Sequence, residues 1–486
     1  MTHQSRPGYP GGHAVVIGGS VAGLLAAAAL EPHFDQVTLV ERDRFPPDPS
    51  FRKGVPQARH LHILWGHGLD LVERLHPGVR TELLDAGALL LSMPQDVLWL
   101  SAAGWNNRFR STHQVLSCSR ELLDWTLRRR LEQSAKVRLV TGFEATSLIS
   151  ANDSVTGVRL RARPGSAAGG GGQQSELAAD FVVDASGRGS HMPQWLRDIG
   201  RTAPRETTVN SFLGYASRNY AIPPEFSADW KLLFVQAKAP GGLRGGVLLP
   251  IEGARWSVSL TGAGRDYPPL DEEGFLGFAR SLRSPVLYEA IEHAEPLTPI
   301  RGYQRTENRR RHYEELRDLP DRLVVVGDAA CALNPVYAHG MTVAALEAHA
   351  LQRCLRERPL GARGDTMAGL SRRAQRQVAR SAKAALLIAT SSDLRYPGTA
   401  GARPDPITRL VQRYLDRTVW AACGDPRLAT ALLDVLNLAA PPRSMLRPRV
   451  VCRTLAARTG PLQEPPLGLA PATAPGKIQT LTSAAG

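Results

Sequence analysis

Three places in the chain combine carboxylates and small residues at spacings that suit ligand chemistry. At 323–326 a Leu-Val-Val-Val run reads as a short buried strand. Gly327 ends it and leaves Asp328 at the strand's carboxyl edge, where open α/β sheets hold their ligands. Pro335 keeps Asn334 out of helical geometry, and Gly340 offers a tight entry to a helix from Met341 to about Arg356. A carboxylate and a helix N-terminus are thereby aimed into one crevice. That pairing suits a cofactor with hydroxyl groups to hold and a ring that becomes negatively charged on reduction.

The second place is Gly18-Gly-Ser-Val-Ala-Gly23, set between a strand at 14–17 and a helix at 24–30, with a second strand at 36–40 ending in Glu41. This is a dinucleotide-binding turn with Ser20 in the middle glycine position. Gly18 makes the turn, Ser20 lets backbone approach a pyrophosphate, Gly23 packs helix on strand, and Glu41 is expected to accept adenosine ribose hydroxyls. The third is Asp184-Ala-Ser-Gly-Arg-Gly-Ser190, another strand-end carboxylate followed by glycines, Gly187 among them. Arg120 opens a helix capped by Ser119 or Ser117, and a cation in a first turn calls for an anionic partner.

These residues need an α/β frame. The predicted class is α/β, a Rossmann-like cofactor domain with an inserted, mainly antiparallel β-sheet substrate domain and a C-terminal helical extension. The expected divisions are 13–205 and 301–391 for the cofactor domain, 206–300 for the substrate domain, 392–460 for the helical region and 461–486 for a disordered tail. Within the first part, a Pro-rich loop at 45–62 with a basic core is long enough to be functional. Helices are expected at 61–75 and 81–87, and strands at 137–140, 144–149, 155–161 and 177–183, with a flexible Gly/Ala/Ser hairpin tip at 164–173. Alternation at 209–218, 231–237, 246–250 and 256–260 predicts the antiparallel sheet, followed by helices near 271–283 and 285–294. Its aromatics include Phe212, Tyr215, Phe234 and Trp256, and one face of the sheet is expected to roof a pocket. Beyond the opening stretch come helices at about 366–391, 404–420, 426–437 and 444–457. In 406–420, Ile407, Leu410, Val411, Tyr414 and Leu415 share one face and Arg409, Arg413 and Arg417 another, a pattern that packing on the protein body produces more commonly than its alternative, a helix lying on a membrane surface.

Composition narrows the partners. The 59 Lys and Arg against 45 Asp and Glu give a net charge of +14, yet only six of the cations are Lys and no long basic block stands apart from helical faces. A nucleic-acid partner is therefore not expected. The five cysteines form no CxxC pair, which points to free thiols in a reducing, cytoplasmic setting. The uncharged run at 14–30 is interrupted by Gly18, Gly19 and Gly23, so stable membrane insertion is not expected either. His60, His62 and His67 lack carboxylate or Cys companions, and no metal site is assigned.

The order of the three motifs, from 13 to 391, resembles the FAD-dependent monooxygenases of the p-hydroxybenzoate hydroxylase type (class A). A narrower likeness lies in Arg52-Lys-Gly-Val-Pro-Gln-Ala-Arg-His60, Ser119-Arg-Glu-Leu-Leu-Asp124, the 184–190 turn, Asn308-Arg-Arg310 and Asn334-Pro-Val-Tyr-Ala-His-Gly-Met341. These resemble the actinomycete polyether epoxidases of the lasalocid and monensin type, with Ala338 where that pattern leads one to expect glycine. The resemblance implies FAD, held by Gly18, Ser20, Gly23, Glu41, Arg42, Arg52, Lys53, Arg120, Ala145, Asp184, Gly187, Gly327 and Asp328. Pro335, Gly340 and Met341 would line the isoalloxazine and position the chemistry, with no catalytic side chain required.

The expected substrate is a small, apolar, polyketide-like molecule in a pocket that includes Trp65, Phe212, Tyr215, Phe234 and Leu248. The implied reaction is insertion of one atom of O2, as alkene epoxidation through a flavin C4a-hydroperoxide. Hydroxylation of an aromatic or polyketide ring, and a reductase resembling those acting on geranylgeranyl chains, are the alternatives. Electrons would come from NAD(P)H or from a partner flavin reductase, since no second dinucleotide turn is present. The Trp-x-Trp-x-Ile-Pro signature looked for in a flavin halogenase is absent from the sequence.

Overall fold

The computed structural model describes residues 12–164, 172–357, 367–401 and 406–468. A five-stranded, all-parallel sheet forms the centre of the cofactor domain, in the order Leu323–Val325, Phe181–Asp184, His13–Ile17, Gln36–Glu41, Val137–Thr141. Asp184 ends and Asp328 follows two adjacent strands, and Glu41 ends a third at the same edge, separated from them by His13–Ile17. The helices Val21–Leu30 and Gly340–Arg356 pack together beside this sheet, and Leu370–Asp393 packs on the second of them. Val15, Val16, Leu24, Leu25, Val182, Val183, Val324 and Leu351 lie in one core with no more than trace exposure. Burial on both faces explains why these strands read as continuous apolar runs.

The other large sheet has six strands, ordered Arg301–Tyr303, Gly214–Ala221, Arg255–Gly262, Arg244–Ile251, Leu232–Val235 and Val97–Leu100. Its pairings are antiparallel apart from the last, where Leu232–Val235 runs parallel to Val97–Leu100. Two of its strands thus come from outside residues 206–300. The helices Glu272–Arg280, capped by Asp271, and Val286–Ile291 cover one face through Phe275, Phe278 and Leu287. The opposite face is left to roof the cavity described below.

Several sequence expectations shift on local grounds. The expected helix at 61–75 begins only at Gly66, because Ile63–Trp65 pairs as a strand with residues 115–117. A Cβ on Gly66 would lie 2.7 Å from the Gln114 carbonyl oxygen, so this crossing is tight. The expected strand at 177–183 is two strands in different sheets, Gln174–Ala178 and Phe181–Asp184. The break falls where Asp180 donates its N–H to the His13 carbonyl and accepts from the His13 N–H, each at 2.8 Å. The expected flexible tip at 164–173 lies largely outside the described residues.

The C-terminal helices are Pro406–Gly424, Pro426–Leu436 and Pro448–Ala456. Residues 461–468, expected within a disordered tail, lie against the body: Leu462 N–H donates to the Trp105 carbonyl at 3.1 Å, and Arg108 reaches the Pro466 carbonyl at 3.1 Å. The remainder of that expected tail, 469–486, lies outside the described residues. Among the described residues no helix is long and apolar enough to cross a membrane. All five cysteines are free, four of them buried and Cys452 exposed.

Candidate functional site

Small residues shape the nucleotide end by letting backbone touch backbone. Gly18 has a φ of +101°, and a Cβ there would sit 2.5 Å from the Ala185 carbonyl oxygen. A Cβ on Gly23 would lie 1.8 Å from the Gly18 carbonyl oxygen, a distance no rearrangement of side chains relieves. The turn and the first helix turn are therefore locked together, and the helix N-terminus, with Ser20 as its cap residue, is left open. Glu41, at the end of its strand, accepts the Gly19 N–H at 2.7 Å and the Asp43 N–H at 3.0 Å, and pairs with Arg52 at 3.1 Å.

From this end a single cavity of about 1360 Å³ runs across the carboxyl edge of the parallel sheet and under the six-stranded sheet. Ligand pockets usually occupy some 300–1,000 Å³. The excess is what a cofactor and a second ligand lying in line would need. Gly18, Ser20, Glu41, Arg42, Ala145 and Gly187 lie on the wall at the nucleotide end, Arg120, Gly327 and Asp328 in the middle, and Pro335, Gly340 and Met341 at the far side. Cβ atoms built on Gly187, Gly189 and Gly340 meet nothing within 4 Å, so these glycines form a cradle that side chains would fill. The donor set, with Glu41 and Asp328 for hydroxyls, Arg120 for an anion and an open helix N-terminus, fits FAD.

Charge in the middle of the cavity is balanced. Asp328 stands 3.6 Å from the Arg188 guanidinium. Burial raises its carboxyl above the usual range, while Arg188 and then Arg120 pull it back. Arg120 donates to Asp124 at 2.6 Å and to the Ser20 hydroxyl at 2.7 Å, so the first-turn cation has its anionic partner and is aimed at the nucleotide turn. Ser119, rather than Ser117, caps this helix by accepting the Leu122 N–H at 3.1 Å. Below Asp328, the wholly buried Glu347 accepts the Gly327 N–H at 2.6 Å. Burial pushes its carboxyl up to about 8, so at neutral pH it is mostly protonated and adds little charge beneath Asp328.

The loop that follows is held from behind. Asp393, fully buried, accepts from Asn308 Nδ2 at 2.6 Å, from Asn334 Nδ2 at 3.1 Å and from the Tyr337 hydroxyl at 2.7 Å. Asn308 Oδ1 in turn accepts the Asn334 N–H at 2.8 Å. Burial raises Asp393 to about 6, opposed by these donors. The loop then turns through Ala338 in left-handed geometry (φ +54°, ψ 28°), the position where the sequence pattern led one to expect glycine. His339 donates from Nε2 to the Leu436 carbonyl at 2.8 Å and stacks on Trp65 at 6.1 Å. Burial lowers it to about 4, which leaves a neutral ring at neutral pH rather than an acid. It ties the helix entry to the C-terminal helices.

The structure separates the remaining expected residues from the cavity wall. Gly23 serves packing alone. Arg52 stands behind the wall, bonded to the Gly19 carbonyl at 2.7 Å, and Lys53 points to solvent. Asp184 is fully buried one layer back, where its oxygens accept from the Ser186 N–H at 2.9 Å and from the Ser186 and Ser190 hydroxyls, fastening the 185–190 turn. In the substrate region Trp65, Tyr215 and Phe234 face the cavity. Leu248 does not, because Val247 and Leu249 do and alternate residues of a strand face opposite ways. Phe212 sits in a turn with a φ of +48°, stacked on the Arg265 guanidinium at 3.6 Å.

Sequence reasoning missed two walls. Val97 and Trp99 come from a strand for which no element was expected, although Val-Leu-Trp-Leu at 97–100 carries a strand composition. Leu415, Val419, Trp420 and Leu436 come from the C-terminal helices, whose apolar face suggested packing or a membrane surface but not a cavity wall. Away from the cavity, His312, Glu314 and Glu315 bring ligand-type atoms within 4.8 Å of one another. Arg310 pairs with Glu314 and Arg205 with Glu315, so these carboxylates serve ion pairs.

A family model described as "FAD binding domain" matches residues 13–383. A protein of Mycobacterium tuberculosis named Protein Rv3254 is 35% identical over 76% of this chain and 78% of its own length. A kynurenine 3-monooxygenase of Salinispora arenicola is 27% identical over 71% and 72% of the two chains. Among solved structures, a flavin-dependent brominase, Bmp2, superposes with a TM-score of 0.63 at 16% identity, covering 91% of this chain and 97% of that one. That likeness extends to the fold.

Proposed function

The chain belongs to the FAD-binding domain family and is a flavin-dependent monooxygenase, and from that premise we propose that it inserts one atom of O2 into an apolar, polyketide-like substrate, by alkene epoxidation. The observation that carries this reading is the cavity, continuous from the dinucleotide turn to a chamber walled by Trp65, Trp99, Leu232, Phe234, Leu249 and Trp420. An apolar chamber of that kind suits a substrate without charge.

Reduced FAD, when bound, would supply the two electrons that activate O2, one atom of which goes to the substrate while the other leaves as water. The residues of this chain bind, orient and exclude water. Glu41 and Asp328 would accept hydroxyls of the cofactor, and Arg120 would meet its pyrophosphate. The N–H groups opening the Gly340–Arg356 helix would stabilise negative charge on the cofactor's ring. Pro335 and Met341 set the ring's wall, while the aromatic and aliphatic side chains of the chamber hold the alkene in place and keep the site dry. No acid or base is needed for transfer to an electron-rich double bond, which agrees with a neutral, wall-bound His339.

Electrons come from NAD(P)H bound transiently or from a partner reductase. The test is to incubate the yellow holoprotein with NADPH, with and without a flavin reductase, a candidate polyene and 18O2, and to read product mass. One labelled oxygen in an epoxide supports the proposal. One labelled oxygen in a ring hydroxyl keeps the monooxygenase and replaces the substrate class. Unlabelled product, or a reduced double bond, overturns oxygen insertion.

A further inference from the structure

The Pro406–Gly424 helix presents apolar side chains in two directions, and only one of them is used inside the molecule. Val411, Leu415 and Val419 line the cavity. Ile407 and Leu410, three positions apart, are 74% and 67% exposed. Beside them Leu387 and Leu446 are 51% and 56% exposed while also lining the cavity, as Val411 does at 39%. The exposed apolar patch is therefore the rim of the cavity itself. Arg409 and Arg413 stand on another face of the same helix, and Arg443, Arg447 and Arg449 flank Leu446 in the chain; all five are exposed and make no ion pair or side-chain hydrogen bond among the described residues.

We propose that this rim docks on an anionic lipid surface, so that the cavity opens into the interfacial layer and takes lipophilic substrate from it. Apolar side chains accompanied by exposed arginines are what a helix lying in a headgroup layer needs: the first enter the acyl boundary and the second meet phosphates. Continuity with the chamber gives an apolar molecule a path that never crosses water. A second copy of the chain is disfavoured as the occupant, because a two-fold contact over the same patch would set arginines against arginines. An acidic carrier protein would satisfy the arginines but leaves Ile407 and Leu410 without a reason to protrude. The proposal rests on this surface alone, whatever reaction the chamber performs.

The experiment is co-sedimentation of the FAD-loaded protein with vesicles of phosphatidylcholine alone or mixed with phosphatidylglycerol, at physiological salt. Binding is expected to the mixed vesicles and not to phosphatidylcholine alone. Ile407→Ser with Leu410→Ser should weaken it on the order of tenfold, and Arg409→Glu with Arg413→Glu at least as much. FAD absorbance and melting temperature are followed in each variant, to separate loss of the surface from loss of the fold. Lys136→Glu with Arg138→Glu, an equal charge change at the Val137–Thr141 edge of the parallel sheet, should leave binding intact. The proposal is overturned if the mixed vesicles bring down no protein, or if that distant pair weakens binding as much as the rim variants. It also fails if the wild type is a dimer that Ile407→Ser with Leu410→Ser turns into monomers, or if an acidic carrier protein binds the rim while vesicles do not.

Discussion

The two ends of the cavity are built on different principles. At the nucleotide end, backbone meets backbone: Gly18 abuts the Ala185 carbonyl and Gly23 the Gly18 carbonyl, contacts that a larger residue would destroy. At the substrate end, walls come from 63–65, 97–100, the 214–262 sheet and the helices beyond 406, brought together only by the fold. Substitution should therefore act at the first end through folding and at the second through ligand fit. Gly23→Ala is the severest test: a Cβ 1.8 Å from the Gly18 oxygen should cost at least about 3 kcal/mol and leave a protein without FAD. Gly340→Ala adds the same methyl where nothing lies within 4 Å, so melting should barely move while FAD affinity falls. Equal melting temperatures for the two variants would erase the distinction.

Between the ends lies the loop from Asn334 to Ala338, which belongs to neither class. Its geometry is set by a buried carboxylate far away in sequence, since Asp393 takes donors from Asn308, Asn334 and Tyr337. Asp393→Asn places an amide N–H₂ against donors that need an acceptor, and should cost about 1–3 kcal/mol. Here both readouts ought to change together, with lower melting temperature and faster FAD loss. A variant that lost stability but kept FAD tightly bound would show that the network supports the core rather than the loop.

This division also explains what could be read from the chain. The Gly18, Ser20, Gly23 and Glu41 turn was legible because its determinants are local: strand, turn, helix and acidic residue follow one another. Asp184 and Asp328 carry the same sequence signature, a strand-end carboxylate before a glycine or small residue. Only three-dimensional placement separates Asp328, on the wall, from Asp184, one layer behind it. Leu248 misleads for a similar reason: Val247, Leu248 and Leu249 are all apolar because that strand is buried on both faces, so composition cannot tell which one faces the cavity. The 97–100 strand was missed because four residues carry too little pattern, and its parallel pairing with Leu232–Val235 is wholly non-local.

Glu347 offers a quieter probe of the same boundary. With its carboxyl raised to about 8 from an ordinary 4.5, the folded chain holds a proton that the unfolded chain gives up. Stability should thus be full below about pH 4.5 and decline as pH rises toward 8, by at most about 1.4 kcal/mol per pH unit from this group. Glu347→Gln keeps an acceptor for the Gly327 N–H and removes the titration, so urea midpoints of the variant should fall less between pH 6 and 8. Parallel pH profiles for the two proteins would mean that Glu347 titrates near its ordinary value.

The smallest effect expected is at Ala338. A non-glycine residue in left-handed geometry costs on the order of 1 kcal/mol, and replacing it by glycine relieves that strain. The same change frees the unfolded chain by about 0.4–1 kcal/mol, so Ala338→Gly should move stability by less than about 1 kcal/mol in either direction. Its effect should appear in the chamber, because removing the methyl widens the wall shared by cofactor and substrate without disturbing Asp393 behind it. The expected result is an unchanged melting temperature and FAD affinity with an altered preference among alkenes of different bulk. If bulky and slender alkenes keep their wild-type ratio, the alanine methyl does not reach the substrate, and the wall there is set by Pro335 and Met341 alone.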